Sequence, residues 1–407
     1  MMNRKVFDIC AGEICCGTLQ IESSDRKPDE EYRFKYHPSW LLDKKAFPLS
    51  PDVPLSDMEY FCRSIKPFGF LSDISPERWG RSLISRFLSQ NGETIRNSSF
   101  FLEVQDEMRT GAVRIFDAEN KSWQRSRFPV PPETYLPSLS FLIGKAADAG
   151  EPDTHEGLKQ LLGICSSLGG ARPKCNVKDS SGNLWIAKFC FHGSVEMKSE
   201  YACLKLARSV GIQIPDIQYR ETGNGTGILL SRRFDRNGAD RIPYISGMSL
   251  LCLSDGFSSE EGGYLSLFEE AQNQLNCPDS TGAEIWRRMV ANILLHNTDD
   301  HLRNHAFLYL DSQWKPSPAY DITFCEEGGS FHALPVYAGG SCHENDMLAD
   351  AVEYAGFFGV DEALSEIDAM FSILEWNIGQ TQMPARHKNA LLSHLQKQRS
   401  IFKSEHG

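Results

Sequence analysis

Asp299 and Asn304 stand five positions apart in LLHNTDDHLRNHAFLYLDSQWKPSPAYDI, Leu294 to Ile322, and Asp321 lies near the end of that stretch. A carboxylate can accept the proton of an attacking hydroxyl, and an amide oxygen with a second carboxylate can hold a hard cation such as magnesium. Upstream, SSLGGARPK sets Gly169 and Gly170 before Lys174, where residues without side chains let backbone N–H groups approach an anion. It is not a Walker A loop, since GxxxxGK[ST] does not occur there. Lys188 stands inside the apolar run LWIAKF. An unpaired ammonium is costly to bury, so Lys188 needs an anionic partner, and Glu200 in the following segment is the natural one. Glycine loop, lysine, proton acceptor and two metal ligands in this order fit phosphoryl transfer, which is mainly positioning and charge neutralisation.

The same stretch offers a second chemistry. His296, His301 and His305 with Asp299 or Asp300 could bind a transition metal for hydrolysis, and His301 and His305 would share a face if helical. Against this, no HExxH is present, and Asn304 followed by apolar AFLYL reads as a loop leading into a strand.

The elements that must hold these residues are legible from pattern. Apolar runs around Val177 and from Leu184 to Cys190 flank DSSGN, which predicts a β-hairpin. Met197, Tyr201, Leu204 and Ala207 keep helical spacing, and Gly211 with Pro215 ends that helix. TGILLSRRF predicts a strand, and AFLYL another with DSQW as its turn. Thr281 and Glu284 have capping-box spacing, opening a helix through Ile285, Met289 and Ile293. Residues 1–145 read as a separate module, with strands in KVFDI, GTLQI and YRFKYH, a Pro-rich loop FPLSPDVPLS, and helices around Arg78 to Leu88. FPVPPETYLPS and AGEPDTHEG mark its end. The basic, amphipathic ARHKNALLSHLQKQRSIFK predicts a helix docked on the C-terminal part of the chain.

A chain of 407 residues exceeds what one core usually serves, so two or three domains are expected. Its 42 basic and 54 acidic residues, net charge −12, exclude a broad basic surface for direct nucleic-acid binding but not a local site for ATP. Twelve scattered cysteines without a CxxC suit buried thiols in a reducing compartment. Asp8 and Glu13 interrupt the opening residues where a signal peptide needs an apolar run, and no run nears the ~20 apolar residues of a membrane helix. A cytoplasmic location without membrane contact is the expectation.

At this point the residues resemble a family, the HipA-type serine/threonine kinases that are the toxins of bacterial toxin–antitoxin pairs. SLGGARPK, Ser167 to Lys174, matches its SxxGxxxK loop, NTDDHLRNHAFLY its T-D-x-H-x-K/R-N stretch, and PAYDI its P-x-Y-D. WLLD and RTGAVRIF also look like its N-terminal module. The resemblance implies an α+β, two-lobed protein-kinase-like fold with an additional N-terminal α/β module. Its parts would be a regulatory module at 1–145, a kinase N lobe at 146–237 and a helical C lobe at 238–407. It implies ATP and Mg²⁺ as cofactors, Asp299 as catalytic base, and Asn304 and Asp321 as metal ligands. Lys188 would contact phosphates under the loop of Gly169, Gly170, Ala171, Arg172 and Lys174, with Glu200 as its ion-pair partner. Phe234 and Asp235 would line the adenine and ribose site. Ser167, with Ser166 beside it, would be autophosphorylated, expelling the loop. Implied partners are a bacterial protein substrate, such as a translation factor or an aminoacyl-tRNA synthetase, and a helix-turn-helix antitoxin. A role as non-catalytic co-repressor of such an antitoxin is the alternative, and the metal-dependent hydrolase a further one. Arg232 before RFDR and the segment YISGMSLLCLSDG depart from the family's pattern and mark a distant subgroup.

Overall fold

The computed structural model describes residues 2–24, 27–124, 130–148, 173–190, 195–222 and 225–406. Contacts divide the chain into two compact units, Met1–Phe191 with Leu230–Ile245, and His192–Leu229 with Ser246–Gly407. The three segments 1–145, 146–237 and 238–407 remain our proposal for its functional division.

The first unit is built on a six-stranded sheet of order β4-β3-β2-β1-β5-β6. Its strands are β1 (Met2–Ala11), β2 (Ile14–Ser24), β3 (Lys27–Tyr36), β4 (Glu59–Arg63), β5 (Val113–Asp117) and β6 (Ser122–Trp123), paired antiparallel throughout. Near-alternate burial along β2, with Cys16, Leu19 and Ile21 inside, gives the sheet one packed face. Aromatic rings fill it, Phe68 and Phe70 stacking at 5.8 Å. Helices α1 (Arg78–Gln90) and α2 (Asn97–Leu102) follow, and Ser98 Oγ donates to buried Glu30 Oε1 at 2.7 Å. The expected strands and the helix from Arg78 are all present.

A hairpin of β7 (Lys174–Lys178) and β8 (Leu184–Cys190) belongs to the same unit, as DSSGN predicts. Asp179 closes its turn by accepting from the backbone N–H of Ser181 and Asn183 at 2.9 and 2.8 Å. The end of β10 (Gly227–Arg232) neighbours β8, and the short β11 (Arg236–Asn237) and β12 (Asp240–Arg241) pair beyond it.

The second unit is mostly helical. It carries α3 (Val195–Ser209), β9 (Ile217–Glu221) beside the start of β10, α4 (Tyr264–Leu275), α5 (Ser280–Leu294), α6 (Glu344–Glu353), α7 (Ala363–Gln380) and α8 (Ala385–His406). Strands β14 (Ala306–Leu310) and β15 (Gln313–Pro316) form a hairpin there, and β13 (Tyr244–Ser246) precedes α4 in the chain. Helix α5 is the central element, with Ile285, Trp286, Met289 and Ile293 buried and Trp286 Nε1 donating to the Ala351 carbonyl at 2.7 Å. Burying each aliphatic side chain of that kind contributes about 1.5–3 kcal/mol. Helix α8 buries Leu391, Leu395 and Phe402, as a docked C-terminal helix should.

Two local expectations are corrected. Helix α5 begins at Ser280 without the capping box: Thr281 Oγ1 has no hydrogen-bond partner among the described residues, and Glu284 instead accepts from Arg288 one turn on. An i,i+4 guanidinium outcompetes the N-terminal N–H for that carboxylate. The turn between β14 and β15 is shorter than DSQW, because Gln313 and Trp314 already lie in β15. Asp311 and Ser312 both take positive φ, 53° and 63°, the geometry of a two-residue type I′ hairpin loop. No disulfide joins the described cysteines, and no described helix is long and apolar enough to cross a membrane.

Candidate functional site

The loop after α5 builds the site in the second unit. His296 turns the chain with φ 54°. The buried Asn297 then ties the loop down, donating from Nδ2 to Asn292 Oδ1 at 3.0 Å and to the Asp321 carbonyl at 3.5 Å. The adjacent carboxylates Asp299 and Asp300 part company at this point. Asp300 is buried, and its Oδ2 receives Asn292 Nδ2 at 2.7 Å, His305 Nε2 at 2.8 Å and the Tyr264 hydroxyl. Burial alone would raise its pKa, but the His305 ring and the hydrogen bonds from His305 and Tyr264 hold it below the ordinary carboxylate range. Tyr264 is pushed well above its usual value by burial and by the Asp300 charge, so it stays a donor. Asp299, one residue earlier, is exposed.

Leu302–Asn304 makes a single 3-10 turn that brings the Asn304 Nδ2 to 3.4 Å from the Asp299 carbonyl. Tyr320 fastens the following PAYD turn to this loop, its hydroxyl donating to the Arg303 carbonyl at 2.7 Å. Asp321 has φ 60°, a left-handed conformation uncommon outside glycine but tolerated by Asp and Asn. The structure thus sets Asp299, Asn304 and Asp321 on two loops stitched together by Asn297 and Tyr320. Asp299 offers an exposed carboxylate on one loop, and Asn304 and Asp321 carry oxygens of the kind a hard cation takes.

The histidines of this stretch do not gather at one centre. His305 is taken by Asp300, while His296 faces Glu344 and His394.

In the first unit, Lys174 and Lys188 are direct partners across β7 and β8, and both are buried. Phe234 is half-buried and Arg232 exposed, donating to Asn183 Oδ1 at 2.9 Å. Asp235 is buried. Its Oδ1 accepts from Arg233 Nε at 2.9 Å, and its Oδ2 from Arg233 Nη2, Arg236 Nη1 and Gly111 N at 2.6, 2.8 and 2.7 Å. Glu200 is buried on α3 of the second unit. Ser166, Ser167, Gly169, Gly170, Ala171 and Arg172 lie outside the described residues.

Motif reading missed the anchors Tyr264, Asn292 and Asn297 and the structural part of Asp300. Asn292, a polar residue within the apolar run MVANILL, was the one signal that could have exposed them.

A lysine-bearing hairpin and a helical unit with this loop pair define a kinase-like α+β protein. Residues 7–115 match the HipA N-terminal domain, and residues 166–375 match the HipA-like C-terminal domain, more than half of the chain. The chain belongs to the HipA family. The HipA of Shewanella oneidensis MR-1, solved with HipB and its operator DNA, superposes over 98% of both chains at TM-score 0.67 and 17% identity, a likeness of fold. The Helicobacter pylori proinflammatory kinase CtkA, also 17% identical, aligns with 56% of this chain and 90% of its own at TM-score 0.44, too loose to argue from. A protein of Sinorhizobium fredii named "Putative kinase Y4dM" is 25% identical over 159 residues, 35% of this chain and 38% of that protein. The match therefore spans well under half the length of that curated relative.

Proposed function

We propose that this chain is an ATP- and Mg²⁺-dependent serine/threonine-protein kinase of the HipA type. The observation that carries the reading is the division between Asp300, buried as the loop's anchor, and Asp299, exposed beside Asn304. A general base must reach its substrate hydroxyl, and only Asp299 of the two can. Asn304 and Asp321 fit magnesium as oxygen ligands, and the ion would neutralise charge on the transferring phosphate. Lys174 and Lys188 supply positive charge on the phosphate side. Replacing Lys188 by Met is expected to weaken ATP binding by about 1.5–3 kcal/mol, roughly 10- to 150-fold in Kd. Calorimetric titration of the folded variant with Mg-ATP measures it, and unchanged affinity would remove Lys188 from the site.

Ser167 is proposed as the site of autophosphorylation, with Ser166 second because only Ser167 matches the family's spacing to Lys174. A phosphate there carries about −1.5 to −2 charge and would compete for the donors that the loop offers to ATP. Peptide mass spectrometry after incubation with Mg-ATP tests the reading: phosphate on Ser167 together with lowered ATP affinity is expected. An ATP-hydrolysing preparation that modifies neither serine would end the switch. A protein that turns over no ATP and modifies no protein in a cell extract would end the kinase reading itself.

The Shewanella HipA is held with HipB on operator DNA. We propose a helix-turn-helix antitoxin as the corresponding partner here, which would reconcile DNA association with a net charge of −12.

A further inference from the structure

Three side chains from distant parts of the second unit converge beside the end of α5. His296 follows α5, Glu344 is the first residue of α6, and His394 lies within α8. One ligand-capable atom of each lies within 4.8 Å of the others. His296 Nδ1 and His394 Nδ1 approach the same Glu344 oxygen, Oε2, at 3.3 and 3.7 Å.

The hydrogen-bond arithmetic of this cluster does not close. The other ring nitrogen of His394, Nε2, is 3.0 Å from the Ile293 carbonyl, which can only accept, so Nε2 carries the proton. Nδ1 of the neutral ring is then a bare lone pair aimed at a carboxylate oxygen. Protonating it does not help, because 3.7 Å is too long for a hydrogen bond. Glu344 Oε2 and His296 Nδ1 are both buried with no hydrogen-bond partner among the described residues. Lys397 neutralises the carboxylate only from the far side, its Nζ on Oε1 at 3.0 Å. His394 Nδ1 and Glu344 Oε2 therefore face one point with no proton suitably placed between them, and His296 Nδ1 joins them 3.3 Å from the same oxygen.

A cation answers this. Ligands held at 2.0–2.1 Å around a tetrahedral ion lie about 3.3–3.4 Å from one another, against 3.3 and 3.7 Å from the two imidazole nitrogens to Glu344 Oε2. Two imidazoles and one carboxylate suit zinc, whereas magnesium and calcium prefer an all-oxygen set. The Nε2–H of His394 on a backbone carbonyl is the outer-shell bond that orients a metal-binding histidine.

We propose that His296, Glu344 and His394 bind one divalent transition-metal ion, zinc by preference, as a structural staple. The three side chains are 13%, 1% and 9% exposed, which leaves no approach for a substrate and separates this role from a hydrolase. The ion would join the end of α5, the start of α6 and α8. It would also hold His296 in its left-handed conformation, three residues before Asp299. The proposal does not depend on the kinase reading.

The test uses the full chain, stripped with chelator and titrated with Co²⁺ and then Zn²⁺. One Co²⁺ per chain with the visible bands of a four-coordinate nitrogen and oxygen site is expected, and Zn²⁺ should displace it. Zinc should raise the melting temperature and chelator lower it. His394→Ala and Glu344→Gln should each weaken binding by at least the 10- to 100-fold that loss of even an outer-shell partner costs. Asp321→Asn, which removes the proposed magnesium ligand, should leave it unchanged. An intense near-ultraviolet thiolate band would place the ion on cysteines and overturn the site. So would binding retained in both ligand variants, or no Co²⁺ bound by wild type at micromolar concentration. The wild-type spectrum decides the matter even if a variant fails to fold.

Discussion

Asp299→Asn is expected to lower phosphoryl transfer by about 10²–10⁴-fold, the usual worth of a positioned general base. Its stability should stay within about 0.5 kcal/mol of wild type, as for an exposed side chain without a structural role. Asp300→Ala should do the reverse of this in kind, costing about 3–5 kcal/mol of stability, because it leaves a buried polar cluster without its charge. Tyr264, Asn292 and His305 all donate to the one oxygen that this change deletes. Asp300 is held below its ordinary pKa, so its contribution is complete at neutral pH and is lost only as pH falls through that lowered value. Denaturant unfolding and a phosphoryl-transfer assay on both variants separate the two roles. Transfer that survives Asp299→Asn, or equal destabilisation by the two changes, would show that the carboxylates have been assigned the wrong way round. Asp321→Asn should share the catalytic loss of Asp299→Asn.

That pair also shows what a sequence can and cannot disclose. The five-residue interval from Asp299 to Asn304 is local, and so are the turn in DSSGN and the apolar periods of α3 and α5. Each was legible because the physics behind it acts over a few residues. Motif spacing alone did not separate Asp300 from Asp299, since one of its partners, Tyr264, arrives from 36 positions away. The same limit hid Glu344 and His394, which reach His296 only after the C-terminal helices have packed. The capping box failed for a different reason. Its spacing was real, but Arg288 offered Glu284 a charged donor that the motif does not consider.

Asp235→Ala is expected to destabilise the first unit by about 3–5 kcal/mol, among the largest effects of any single change outside the apolar core. The carboxylate receives two bonds from Arg233, one from Arg236 and one from the Gly111 backbone. The same guanidiniums donate to the carbonyls of Met108 and Arg109, so Asp235 is the charge around which residues 108–111 and 233–236 are folded together. Removing it leaves two buried guanidiniums short of an anion and one N–H without an acceptor. Burial would raise this carboxyl, yet Arg233 and Arg236 hold it far below the ordinary range. Its stabilisation is therefore complete above the unfolded-state value of about 3.9 and fades as pH falls toward the lowered folded one. The variant should lose stability less steeply in acid than wild type does, besides being weaker at neutral pH. Arg232→Ala, on the exposed neighbour, is the control and should stay near wild type in both respects. Urea unfolding from neutral to acid pH reads both quantities, with ATP affinity measured on the folded fraction. A variant of near-wild-type stability that has lost only ATP binding would place Asp235 in the ribose site that the family resemblance implies.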